Sequence, residues 1–344
     1  NINMAYTTID NPELYFQTLI WSGNDVGTSR AFTFDGDEDM QPDLVWTKIR
    51  TGWAAKHNLW DSVRGVNKNI SSDATTTETT TDQYGYVSSF DSDGFTGSNG
   101  SNVHNPRYLY NENGGTYVAW NWKETADAGF DIVSYTGTGS NTTVSHGLST
   151  SPSTIIVKDR DGARNWTVYH KSVGATKWLQ LDDTSAEQTG SAMWQDTDPT
   201  SSVFSIGTYA QINTSSSEYI AYCFHSVQGF SKVGGSYTGN GNSSGSTIWC
   251  GFSPAWVMIK QSSTSGEGWH IFDNKREGYN VDNDPLVANT SNAEGTSDMI
   301  DLLSNGFKLR TTSEAVNESG ETYIYMAFAE APFVNSKGVP ANAR

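Results

Sequence analysis

Three short runs set the architecture: PDLVWTK at 42–48, PSTIIVK at 152–158 and PAWVMIK at 254–260. In each, a proline stands six residues before a lysine, and the residues between are mostly β-branched, aromatic or aliphatic over the length of one strand. Working outward, LWDSVRG (59–65), VYHKSVG (168–174) and IFDNKRE (271–277) follow about ten residues later. Phe95, Phe204 and Phe307 lie 47, 46 and 47 residues past Lys48, Lys158 and Lys260. Each stretch opens on a turn at Trp21, Tyr135 or Tyr237 and closes on a strand at Tyr117, Tyr219 or Tyr323. So many landmarks in one order make a triplication, at a spacing of about 100–110 residues. That is too long for a solenoid repeat of ~20–45 residues and suits one small β-sandwich per copy.

The expected fold is therefore all-β: three tandem, homologous, antiparallel sandwich units of lectin or jelly-roll type. The units span 14–124, 130–228 and 230–333, with an arm at 1–13 and a tail at 334–344. The junctions, 123–129 and residues 228 and 229, are short, which predicts a stiff rod or a compact triangle. The closing strands TYVAWNW, EYIAYCF and TYIYMAF alternate. Val118, Trp120 and Trp122, then Ile220, Tyr222 and Phe224, then Ile324, Met326 and Phe328 form the bulky face that faces the core. The opposite face, with Tyr117, Ala119, Asn121, Tyr219, Ala221 and Cys223, is smaller and expected to be half-buried. Each unit is expected to wrap its own apolar interior. Two short helices are expected, within 184–195 and 291–301.

The chain has 344 residues and a net charge of −17, from 38 acidic and 21 basic side chains. A strongly negative surface excludes nucleic acid as a partner, because phosphates need basic grooves. No run approaches the 18 apolar residues of a membrane-spanning helix, so no membrane insertion is expected. Residues 1–16 lack a basic and an apolar region, so no secretory signal is read there, and Met4 is a candidate start. Cys223 and Cys250 are expected as small buried hydrophobes, with a single disulfide as the alternative.

Catalytic patterns are missing. None of the six histidines lies in a spaced motif, and there is neither a GxSxG elbow nor a phosphate-cradling loop. No enzyme and no cofactor is expected. Asp35, Asp37 and Asp39, and Asp91 and Asp93, sit beside glycine turns, which makes them Ca²⁺ candidates against the plainer reading of solvated acidic turns. Asp61 and Arg64 recur as Asp273 and Arg276, whereas the second copy carries His170 and Val173 there, so a structural ion pair is expected. Trp46, Trp120, Trp122 and Trp256 belong to the core, and the regular spacing of Trp166 and Trp269 also assigns them to packing. Trp53 and Trp194 are the candidates for exposed contact with a sugar ring or a protein partner.

Several runs resemble one group of proteins: MAYTTID (4–10), YFQT (15–18), DSVRG (61–65), SFDSDGF (89–95), YHKSVGATK (169–177), YIAYCF (219–224), LSNGFKLR (303–310) and YIYMAFAEAPF (323–333). They are similar to tail-fibre-like repeat proteins of tailed bacteriophages, many of them marine or cyanobacterial. The resemblance implies a concanavalin-A or lectin-like sandwich, a place on the virion after synthesis in the host cytoplasm, and no catalytic residues. It implies other virion proteins as partners, contact with a host surface glycan or receptor, and a homotrimer. The triplication leaves open a monomer with internal pseudo-threefold symmetry. No heptads precede Tyr15, unlike the shaft of a tail fibre, which keeps capsid decoration or a head fibre as the alternative role.

Overall fold

The computed structural model describes residues 6–276, 280 and 284–340. Met4 and the last four residues of the tail lie outside them. The chain is all-β, built from antiparallel sheets. In the first large sheet Thr116–Trp122 lies between Phe16–Ser22 and Leu44–Thr51, and Asn58–Asp61 follows Leu44–Thr51. The second repeats this order with Phe130–Thr136, Glu218–Phe224, Thr154–Asp159 and Thr167–His170. The third repeats it with Ser231–Thr238, Thr322–Pro332, Phe252–Gln261 and Trp269–Asp273. Even the register recurs: Lys48 lies opposite Val118, Lys158 opposite Ile220 and Lys260 opposite Ile324. The opening-turn aromatics stack on the closing tyrosines, Trp21 on Tyr117, Tyr135 on Tyr219 and Tyr237 on Tyr323, at centroid distances of 5.4, 5.0 and 5.1 Å. Each large sheet has a small companion, centred on Gly94–Ser98, Val203–Ile206 or Gly306–Leu309.

The bulky faces of the three closing strands do not belong to three separate interiors. Trp120 and Trp122, Tyr222 and Phe224, and Met326 and Phe328 enter one common cluster, joined by Trp46, Ile156 and Trp256 from the neighbouring strands. Edge-on ring contacts cross it, Trp122 to Trp256 at 5.5 Å and Phe224 to Phe328 at 5.9 Å. The opposite face is not half-buried either, because Tyr117, Ala119, Asn121, Tyr219, Ala221 and Cys223 are all inaccessible. It packs under the small companion sheets, in local clusters with Phe95 in the first stretch and Phe204 in the second. In the third stretch the local cluster merges with the common one through Tyr323, Tyr325 and Phe307. A strand covered on both sides tolerates a polar side chain only where it is bonded. Asn121 meets that condition with its amide nitrogen, which donates to the carbonyls of Gln17 and Ala119, both at 3.1 Å, while its Oδ1 finds no partner among the described residues.

The segment after the fourth strand of each large sheet crosses to the next sheet, and three contacts recur at every crossing. The backbone N–H groups of Glu78, Glu187 and Glu294 donate to the carbonyls of Arg160, Ser262 and Arg50 at 2.9, 2.8 and 2.9 Å. The ammonium groups of Lys158, Lys260 and Lys48 donate to the carbonyls of Thr75, Thr184 and Ser291 at 3.2, 3.2 and 3.1 Å. Ring nitrogens of Trp166, Trp269 and His57 meet the carbonyls of Ser71, Gln180 and Val287 at 2.8, 2.8 and 3.1 Å. The first stretch thus clasps the second, the second the third, and the third the first. The helix expected within 291–301 is absent: extended chain ending in the strand Ile300–Leu303 makes this clasp instead. Within 184–195 only Ser191–Trp194 is helical, and one-turn helices occur at Ala210–Asn213 and Glu314–Asn317.

Candidate functional site

The seam where the third stretch clasps the first opens into a groove of about 970 Å³. One wall is the loop around Ala54 and Lys56, another the segment ending in Tyr108, and the far side is Asn289–Asn292 from the clasp. The strand pair Lys68–Asn69 and Thr79–Thr80 and the turn at Asp82 and Tyr84 complete it. Its rim is aromatic. Trp53 stacks on Tyr108 at 5.3 Å with 25° between the rings, and Tyr84 leans on the same tyrosine at 5.9 Å. The Tyr108 hydroxyl is fixed by donating to the Ala54 carbonyl at 2.8 Å.

The floor is made of amides and a carboxyl group. Asn69 donates to the Asn58 side chain at 2.7 Å, and Asn58 donates to the Lys56 carbonyl at 2.9 Å. The other oxygen of this pair, Asn69 Oδ1, is buried and finds no donor among the described residues. Asp73 accepts from the His57 backbone N–H at 3.2 Å. Burial pushes its carboxyl up to about 6, against the pull of Lys48. Burial likewise lowers the Lys48 ammonium to about 8, with Asp73 and Glu294 pulling the other way. The groove therefore offers an aromatic surface, amide donors and acceptors, and a buried carboxyl group. That set matches a polyhydroxylated ring, whose C–H faces stack on aromatics while its hydroxyls need paired donors and acceptors.

This rim belongs to one seam of the three. The hydroxyls of Tyr117, Tyr219 and Tyr323 donate to the carbonyls of Tyr108, Ala210 and Glu314, so Ala210 and Glu314 occupy the position of Tyr108 elsewhere. Five residues past the repeat lysine, Ala163 and Ser265 stand where the first stretch has Trp53.

Of the two tryptophans singled out for contact, Trp53 is half-buried and backs Tyr108, which lines the groove. Trp194 is corrected to core. It is 2% exposed, because the single helical turn Ser191–Trp194 swings it inward, edge-on to Tyr169 at 5.9 Å. The sequence reading passed over Trp249, which is 52% exposed. The Ca²⁺ candidates do not converge. Asp35 pairs with Lys275 at 3.2 Å, Asp37 and Asp39 are exposed, Asp91 accepts from Ser89 and Thr96, and Asp93 accepts from the Met40 N–H. No three His, Cys, Asp or Glu side chains gather among the described residues. The repeated Asp–Arg pairs are buried ion pairs, Asp61 with Arg64 at 2.5 Å and Asp273 with Arg276 at 2.6 Å. Each also binds a neighbouring sheet, Asp61 through the Tyr222 hydroxyl and Asp273 through the Trp120 indole N–H. Cys223 and Cys250 are buried free thiols.

The profile of one family, described as a domain of unknown function (DUF7483), matches residues 11–332. No curated protein and no solved structure matches.

Proposed function

Since the chain belongs to the DUF7483 family, we propose its role from its own groove: a non-enzymatic virion protein of the phage tail apparatus, contacting a host surface glycan at the seam between its first and third stretches. The observation that carries the glycan contact is the Tyr108–Tyr84 pair lining the groove, backed by Trp53, above the Asn58–Asn69 floor. The virion setting is supported by the resemblance of the repeated runs to tail-fibre-like proteins.

The finer architecture belongs to the same reading. Three tandem homologous sandwich units, 14–124, 130–228 and 230–333, close into a ring through their clasps. The recurring strand order and the three repeated seam contacts support this. Such a ring is the pseudo-threefold monomer that the triplication leaves open beside the homotrimer that the resemblance implies.

A glycan array probed with the full chain tests the binding. Binding that falls about ten-fold, or ~1.4 kcal/mol, in Trp53→Ala and again in Tyr108→Ala is the expected outcome. No bound glycan, or binding untouched by both substitutions, overturns the reading.

A further inference from the structure

A second groove, of about 620 Å³, lies where the second and third stretches meet. Lys171, Lys232 and His225 line it, and among the described residues no aspartate or glutamate does. In a chain of net charge −17 such a surface is the exception, and its local field attracts anions. Its walls are fixed rather than loose. The Lys232 ammonium donates to the Trp249 carbonyl at 2.8 Å, and Ser172 ties the two stretches by donating to the Gly234 carbonyl at 2.8 Å. The Tyr6 hydroxyl donates to the Gly251 carbonyl at 2.8 Å at the other end. Between these points stands Trp249, the most exposed tryptophan, braced against Phe333 at 5.4 Å and 65°. An exposed indole held in place by a second ring is costly to leave in water and suited to a ring-shaped ligand.

We propose that this groove is a binding site for an acidic saccharide, one whose pyranose face lies on Trp249 and whose carboxylate or sulfate pairs with Lys232 and Lys171. Cations alone would accept any small anion. The indole adds the demand for a ring with an apolar face. The lining serines, Ser153, Ser226 and Ser231 among them, supply hydroxyls for the sugar's own. The site shares no lining residue with the Trp53 groove, so it does not rest on that groove binding anything.

Titration calorimetry or ligand-observed NMR on the full chain decides it. Three oligosaccharides of equal length serve as probes: galacturonic acid oligomers, a sulfated heparin fragment and a neutral glucose oligomer. The expected result is binding of one or both acidic probes, at least ten-fold tighter than the neutral one. The uronate and sulfate arms tell which anion is preferred. Binding weakens as salt rises, as it must for ion pairs near a surface. Trp249→Ala and Lys232→Gln each reduce it about ten-fold or more. Melting curves of the variants show that they remain folded, since Trp249 is exposed and Lys232 is half-buried at the groove. Equal binding of the neutral probe, insensitivity to salt, no binding of any probe, or binding unaffected by Trp249→Ala overturns the proposal.

Discussion

Lys48, Lys158 and Lys260 mark the repeat in sequence, and in the fold each is buried and bonded to backbone carbonyls of its own and the preceding stretch. Lys158 meets four: Thr75, Asp159, Gly162 and Arg164. A buried ammonium survives only with such partners. Burial lowers all three to about 8 from 10.5. Between those values the unfolded chain holds protons that the folded chain has lost, so stability rises with pH across that window. Above pH 10 the sign reverses, because burial raises the Tyr135, Tyr222 and Tyr237 hydroxyls and the folded chain then keeps protons that the unfolded one loses. Urea unfolding should therefore show a higher midpoint at about pH 9.5 than at about pH 7.5, and a fall beyond about pH 10.5. Lys158→Met should flatten part of the rise and destabilise by about 1–3 kcal/mol through its orphaned carbonyls. A midpoint that stays level from about pH 7.5 to pH 9.5 would contradict this account of the lysines.

At the scale of elements, two of the three small companion sheets, the first and the third, depend on hairpins that only glycine closes. Gly94 has φ +105°, and a Cβ there would stand 1.9 Å from the Phe32 carbonyl oxygen. Its counterpart Gly306 has φ +156° and meets the Ile248 carbonyl at 2.0 Å. Gly94→Ala or Gly306→Ala should each cost well over about 1 kcal/mol in a urea titration. A loss smaller than that would mean the hairpin rearranges freely. Strand positions were legible because apolar runs of strand length with a fixed proline and lysine carry their register with them. What lies over each face was not. Alanine and cysteine at 119, 221 and 223 look like a thin outer face, yet their smallness lets the companion sheet approach. Trp194 was misread for a related reason. A one-turn helix is too short to leave a periodic signal, so nothing in its neighbours tells which way the indole turns. Trp53 was legible only as loop-proximal, and it stands half-buried on Tyr108. The amide floor of the groove was not legible, since Asn58, Asn69 and Asn289 meet only through folding of distant segments.

For the molecule as a whole, the common core has no owner. Trp120, Tyr222 and Met326 come from three stretches, and removing one stretch bares the other two. A chain ended at residue 228 loses the clasp on Lys48, Arg50 and His57 as well as more than half of that core. It should fail to unfold in a single cooperative transition, bind a hydrophobic dye and associate in size-exclusion chromatography. A monomeric fragment with a sharp transition and no dye binding would show the stretches to be self-sufficient. Residues near both ends of the described chain also come together, because Ser336 donates its backbone N–H to Asp10 at 2.6 Å and Tyr6 and Phe333 both bond the Gly251 carbonyl. A circle with touching ends can be cut anywhere between its parts. Sealing residue 336 to residue 10 and opening the peptide within 123–129 would give a permuted gene whose product has the same shape, with a former interior junction as its new termini.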